Sequence, residues 1–148
     1  METQNFKGFN IRVYALCIVN NKLLTLKEPF AGNMVVKLPG GGLEFGEGTA
    51  DCLKREFKED AGIEIVPVNR LAILDQDFYT YPNGDRVQPI NAFYLVEETS
   101  AKHYQPKVTE TTTTKYFSLD EEPPRFFNGQ HEQMWQILKD FTHNRKDI

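Results

Sequence analysis

The chain has 148 residues, enough for one domain with one sizeable core. Hydrophobic residues at 40% and charged residues at 26% are ordinary globular proportions. The net charge of −4 excludes the basic footprint of a general nucleic-acid or anionic-membrane binder, but not a nucleotide whose charge is met by a metal ion.

From Ile11 to Val19 the residues are β-branched and apolar, which predicts a buried strand. Asn20-Asn21 predicts a turn into a second strand over KLLTLKE, and so a hairpin. The segment EPFAGN reads as loop, and MVVKL as a short strand stopped by Pro39 and three glycines. Helical spacing begins near Thr49, with Ala50, Leu53, Phe57 and Ala61 on one stripe and Gly62 as the stop. Extended segments are expected from Ile63 to Tyr81, and Pro82-Asn83-Gly84-Asp85 is a turn. Val87 to Val96 reads as a strand, in which Pro89 predicts an edge or an irregular start. A further strand is expected between Val108 and Leu119, ended by Glu121-Glu122-Pro123-Pro124. The last helix is expected from Gly129 to Phe141, with Met134, Ile137, Leu138 and Phe141 on its core face. Repeats and linkers are absent, so a single domain over residues 1–148 is expected. Its class is α+β, with a helix on each side of a mixed sheet.

Cys17 and Cys52 make no disulfide framework and are expected as buried thiols of a reducing compartment. The N-terminal METQNFKGFN lacks the apolar core of a signal peptide, and no apolar run approaches a membrane span. The expected location is the cytoplasm.

The first helix raises the question of function. Glu56, Glu59 and Asp60 fall within an arc of roughly 100° beside the apolar stripe. Like charges at such spacing repel, so the face is either solvated or meant for a cation. Magnesium favours such a surface, because it takes a few carboxylate oxygens together with waters and substrate phosphates.

The loop before the helix narrows the choice. Gly41, Glu47, Arg55, Glu56, Glu59, Gly62 and Ile63 fall at the spacings of the Nudix box: G, five residues, E, seven residues, then R-E-U-x-E-E-x-G-U. The chain therefore resembles a Nudix hydrolase. The resemblance implies a Nudix-type α/β/α sandwich, a mixed β-sheet between helices. It also implies hydrolysis of a pyrophosphate linkage in a nucleoside diphosphate joined to another group, as in a nucleoside triphosphate, ADP-ribose or a nucleotide sugar. Glu56 and Glu59 would ligate Mg2+ or Mn2+, with Asp60 and the carbonyl of Gly40 as further ligands. Arg55 and Glu47 would pair to fix the loop against the helix, so the implied catalytic set is Glu56, Glu59, Arg55 and Glu47. Glu110 is a candidate extra ligand or base. Two positions depart from the pattern: Phe57 stands for an aliphatic residue and Asp60 for the last glutamate.

On the substrate side, Arg12, Lys37 and Arg86 are candidate phosphate contacts, and Phe78, Tyr79, Tyr81 and Tyr94 offer stacking surfaces. Trp135 is expected to pack in the terminal helix, and His103, His131 and His143 are expected at the surface. The expected partner is a small nucleotide, with neither nucleic acid nor membrane. A homodimer is the assembly the family suggests. The alternative is a Nudix-fold module without catalysis that senses a nucleotide or binds a protein.

Overall fold

The central strand, β1 (Phe6–Val19), explains the architecture. Its residues alternate between two apolar layers: Val13, Ala15 and Cys17 enter one, Tyr14 and Leu16 the other. A strand buried on both faces needs a helix on each. The computed structural model of the chain describes residues 6–30, 32–75, 78–105, 112–126 and 129–146.

Asn20 and Asn21, at φ 52° and 62°, make the two-residue turn into β2 (Lys22–Phe30). Then come β3 (Asn33–Lys37), β4 (Gly40–Gly42) and helix α1 (Thr49–Ala61). Strands β5 (Pro67–Leu74), β6 (Tyr79–Thr80) and β7 (Arg86–Val96) follow, and then the short helix α2 (Glu98–Ala101). The order ends with β8 (Thr113–Ser118) and helix α3 (Gly129–Lys146). The sheet runs β3-β2-β1-β7-β5, with β4 on β1, β6 on β7 and β8 on β2. It is mixed, since β1 and β7 pair in parallel while the other strand pairs are antiparallel.

Helix α1 lays Cys52, Leu53 and Phe57 on Val13, Ala15, Ala92, Tyr94 and Val96. Helix α3 lays Met134, Trp135 and Leu138 on Tyr14, Leu16, Phe93 and Leu95 across the sheet. The expected helix on each face of a mixed sheet is present. Gly62 closes α1 in the left-handed region at φ 68°, its N–H donating to the Lys58 carbonyl at 3.0 Å. Phe57, the aromatic departure, is 1% exposed and meets the Tyr104 ring at 5.0 Å, so a partner outside the box absorbs its extra size. Both cysteines are buried.

Three expectations change. EPFAGN is not simply loop: β2 continues through Pro29 to Phe30, and β3 begins at Asn33. Pro29 pairs with β3 alone among the described residues, where β8 pairs with β2 as far as Lys27, and a proline is tolerated at such an edge. The last helix runs on to Lys146 rather than ending at Phe141. α2 was not foreseen, because four residues hold no helical period. Among the described residues, Pro89 pairs with β1 alone, between the stretches paired with β6 and with β5. No described helix is long and apolar enough to cross a membrane.

Candidate active site

The loop between β4 and α1 is bound to the helix through one side chain. Arg55 Nε donates to Glu47 Oε2 at 3.0 Å and Nη2 donates to Glu47 Oε1 at 2.8 Å, a two-bond fork. Nη2 also donates to the Gly42 carbonyl at 2.9 Å, and the Glu44 N–H donates to Glu47 Oε1 at 2.9 Å. Nη1 points the other way, donating to Glu56 Oε1 at 3.0 Å and to Glu59 Oε2 at 3.2 Å. Glu44 Oε1 stands 3.6 Å from Nη1, so one guanidinium faces four carboxylates.

The protonation equilibria follow the geometry. The Arg55 bonds, then the Glu44 N–H, push the Glu47 carboxyl down to about 2. Burial pushes Glu56 up, the charges of Asp60 and Glu59 add to this, and the Arg55 hydrogen bond opposes it. Glu47 is held as an anion, whereas Glu56 sits where added negative charge is least welcome.

The glycines set the approach of the backbone. Gly40, at φ +154°, brings β4 so close to β1 that a Cβ there would meet the Val13 carbonyl and the Tyr14 Cα. Gly41 faces α1, and a Cβ there would occupy the place of the Glu56 carboxylate.

The donor chemistry suits a hard divalent ion: oxygens from Glu56, Glu59 and Asp60 on one helix, beside a backbone loop. Negative charge exceeds what Arg55 alone balances. As they stand, Glu56 and Glu59 turn toward Arg55 Nη1, and among the described residues no three acidic, histidine or cysteine side chains converge as a ligand cage. An ion here would draw both carboxylates off Nη1. Glu110 lies outside the described residues.

Across β1 a cavity of about 170 Å³ opens on the α3 side of the sheet. That is many times the room one water needs. Arg12 and Lys37 line it with Phe78 and Tyr81. Arg12 Nε donates to Tyr14 Oη at 2.8 Å, and Lys37 Nζ pairs with Glu28 at 2.5 Å. Arg86 lies over the Phe78 ring at 4.2 Å without lining the cavity. The Tyr79 backbone pairs with Val87, and its side chain is outside the described residues. Tyr94 is no stacking surface: it is 9% exposed in the α1-side core, its hydroxyl 2.6 Å from Thr49 Oγ1.

Residues 91 and 130, which the sequence reading missed, also line the cavity. Asn91 lies between apolar neighbours in the strand expected from Val87 to Val96, and that position is the signal that could have found it. His131 corrects the surface expectation. It is fully buried, its ring 4.4 Å from that of Tyr14 and 5.8 Å from those of Phe93 and Phe126. Its spacing of three and seven before Met134 and Leu138 puts it on the core face. Trp135 is buried, as expected.

The NUDIX domain profile matches residues 8–141. The chain belongs to the Nudix family, pyrophosphatases acting on nucleotides. It is 26% identical over 141 residues to an RNA pyrophosphohydrolase of Psychrobacter cryohalolentis, covering 95% of this chain and 80% of that protein. Its fold is similar to that of an ADP-ribose pyrophosphatase from Streptococcus suis (TM-score 0.65, 21% identity), over 90% of this chain and 91% of that one. A MutT NUDIX hydrolase from Burkholderia pseudomallei is also similar (TM-score 0.64, 20% identity), over 88% and 97%.

Proposed function

We propose that the chain hydrolyses the phosphoanhydride of a nucleoside diphosphate joined to a second group, with Mg2+ or Mn2+ at the acidic face of α1. One observation carries this reading: Gly42 lies between Arg55 of the acidic face and Arg12 of the cavity wall. The Gly42 carbonyl accepts from Arg55, and Arg12 Nη1 lies 4.0 Å from the position a Cβ on Gly42 would take. A nucleotide in the cavity would thus send its phosphates past Arg12 toward Glu56 and Glu59.

In this reading Glu56, Glu59 and Asp60, with the carbonyl of Gly40, hold the metal. A divalent cation there would screen the phosphoanhydride oxygens and acidify the attacking water. Glu56 and Glu59 are the carboxylates placed to accept that water's proton. The Glu47–Arg55 fork keeps the loop in register with the helix, and Arg12 supplies positive charge to the phosphate that stays with the nucleoside. Lys37, already paired with Glu28, contributes less field. Arg86 and Tyr79 belong to the hairpin at the cavity rim and would border the substrate there.

The curated relative acts on RNA by its name, but a net charge of −4 offers no long electrostatic track for a polynucleotide. A mononucleotide conjugate fits better. The test is a turnover screen with and without Mg2+ or Mn2+ over nucleoside triphosphates, ADP-ribose, nucleotide sugars and 5′-triphosphate RNA. Product analysis assigns the bond broken. Metal-dependent release of a nucleotide, lost in Glu59→Gln, is the expected result; nucleotide binding without turnover under every condition refutes the proposal and leaves the non-catalytic module.

A further inference from the structure

The floor of the cavity holds two buried amides whose hydrogen bonding is incomplete. Asn91 is 1% exposed on β7, between β1 and β5, and Gln130 is 3% exposed in the first turn of α3. Asn91 Nδ2 donates to Gln130 Oε1. That leaves Asn91 Oδ1 and Gln130 Nε2 without a hydrogen-bond partner among the described residues. Thr25, buried as deeply, shows the usual outcome, its hydroxyl donating to the Lys115 carbonyl at 2.7 Å. Buried polar groups in folded proteins are paired in the great majority, and an exception calls for an unseen partner. Both amides line the cavity, so the missing partner belongs there.

The chemistry of that partner can be read from the pair. Two amides joined by one hydrogen bond leave one free acceptor and one free donor. Turning both amides over exchanges which residue supplies which, but the pattern stays the same. Terminal amide torsions are soft, so a rotation about one bond turns the free atoms to a ligand above them. A phosphate offers acceptors alone and would satisfy only half of the pair. A heterocycle edge with adjacent donor and acceptor satisfies both, either as a lactam N–H and C=O or as an amino group beside a ring nitrogen. Phe30, Phe78 and Tyr81 supply flat apolar surface around the same space.

We propose that Asn91 and Gln130 together read the hydrogen-bonding edge of a nucleobase seated in this cavity, making it the specificity pocket. Only the direction of the phosphates, past Arg12, rests on the hydrolase reading above. The base contact itself does not.

The test is equilibrium binding to the metal-free protein, where no turnover is needed. The probes are the four common nucleoside 5′-monophosphates and ribose 5-phosphate. A further probe is the analogue of the favoured base with its edge group removed, such as purine riboside 5′-monophosphate for a purine. One nucleotide should bind at least ~10-fold tighter than both ribose 5-phosphate and its edge-less analogue. In Asn91→Leu/Gln130→Met that preference should collapse to the level of the analogue, whose own binding stays near the parent value. The variant's Tm should equal or exceed the parent's, since removing both members of a half-satisfied pair at similar shape is neutral or stabilising.

Equal binding of ribose 5-phosphate and every nucleotide overturns the proposal, and so does a preference that survives in the double variant. A marked fall in Tm assigns the pair to structure and overturns it too. Should the variant not fold, the edge-less analogue decides the matter on the parent alone. Base preference without any hydrolysis would refute the hydrolase reading and leave this inference standing; hydrolysis without base preference would do the reverse.

Discussion

Gly41→Ala separates function from fold at this site. Position 41 has no positive φ, so alanine is free to adopt the backbone, and the nearest obstacle to its Cβ is the end of the Glu56 side chain. Non-bonded carbons settle at ~3.5–4.0 Å, so the carboxylate must retreat by about 1 Å or more. A glutamate tip yields cheaply. The lost Arg55–Glu56 contact is offset by the lower unfolded-state entropy of alanine, and stability should change by no more than ~1 kcal/mol. That corresponds to a Tm within about 4 °C of the parent. A reacting group misplaced by ~1 Å loses rate by about 10²-fold. The assay is kcat/KM at saturating Mg2+ beside a thermal melt, repeated on Gly41→Ala/Glu56→Gln. The second substitution should add little, because the first has already removed Glu56 from its post. A parent-like rate in Gly41→Ala, or full additivity in the double variant, refutes the argument that the Glu56 position governs turnover.

Gly40→Ala should behave oppositely, because its Cβ meets backbone that cannot swing away; a loss of roughly 2 kcal/mol or more in chemical unfolding is expected. If Asp60 is a weaker ligand than Glu59, Glu59→Gln should raise the half-saturating Mg2+ far more than Asp60→Asn; equal shifts would make Asp60 a full ligand. Stability should also depend on pH through His131. Burial, helped by the charges of Arg12 and Lys37, pushes it down to about 3 in the folded chain, against ~6.5 unfolded. A depressed histidine leaves its contribution whole above the unfolded value and loses it as pH falls, by about 1.4 kcal/mol per pH unit below 6.5. His131→Gln should flatten that slope between pH 6.5 and 5, and an unchanged slope would place the linkage elsewhere.

How much was legible in the sequence depended on how local each feature is. The α1 stripe, its Gly62 stop and the box that contains them lie within one continuous stretch, where spacing along the chain is spacing in space. The buried strand from Ile11 to Val19 was readable for the same reason. The cavity was not, because its walls include β1, β2, β3, β7 and the start of α3, and pairings between strands far apart in sequence bring them together. Arg12 and Lys37 were found by charge type alone. Asn91 and Gln130 went unread because an amide gives no periodic signal and its importance comes from burial. His131 was misread because the apolar stripe was started at Met134, one turn too late. Pro29 misled the β2 boundary because its tolerance depends on which strands pair beside it, and that is not written along the chain.

Arg55 divides its guanidinium between two tasks, and that division links fold to chemistry. Nε and Nη2 hold Glu47 and the Gly42 carbonyl, which are groups of the loop. Nη1 holds Glu56 and Glu59, which are groups of the helix face. A cation arriving at that face competes only with Nη1, so the carboxylates can be handed over without releasing the loop. Lysine, a point charge without a planar fork, would keep the charge balance but could not serve both edges at once. Glu47, with its carboxyl pushed down to about 2, stays anionic while Glu56 and Glu59 change partner. The loop that carries Gly41 and Gly42 would therefore keep its register with α1 when a cation binds, as the proposed path of the phosphates from Arg12 to the acidic face requires.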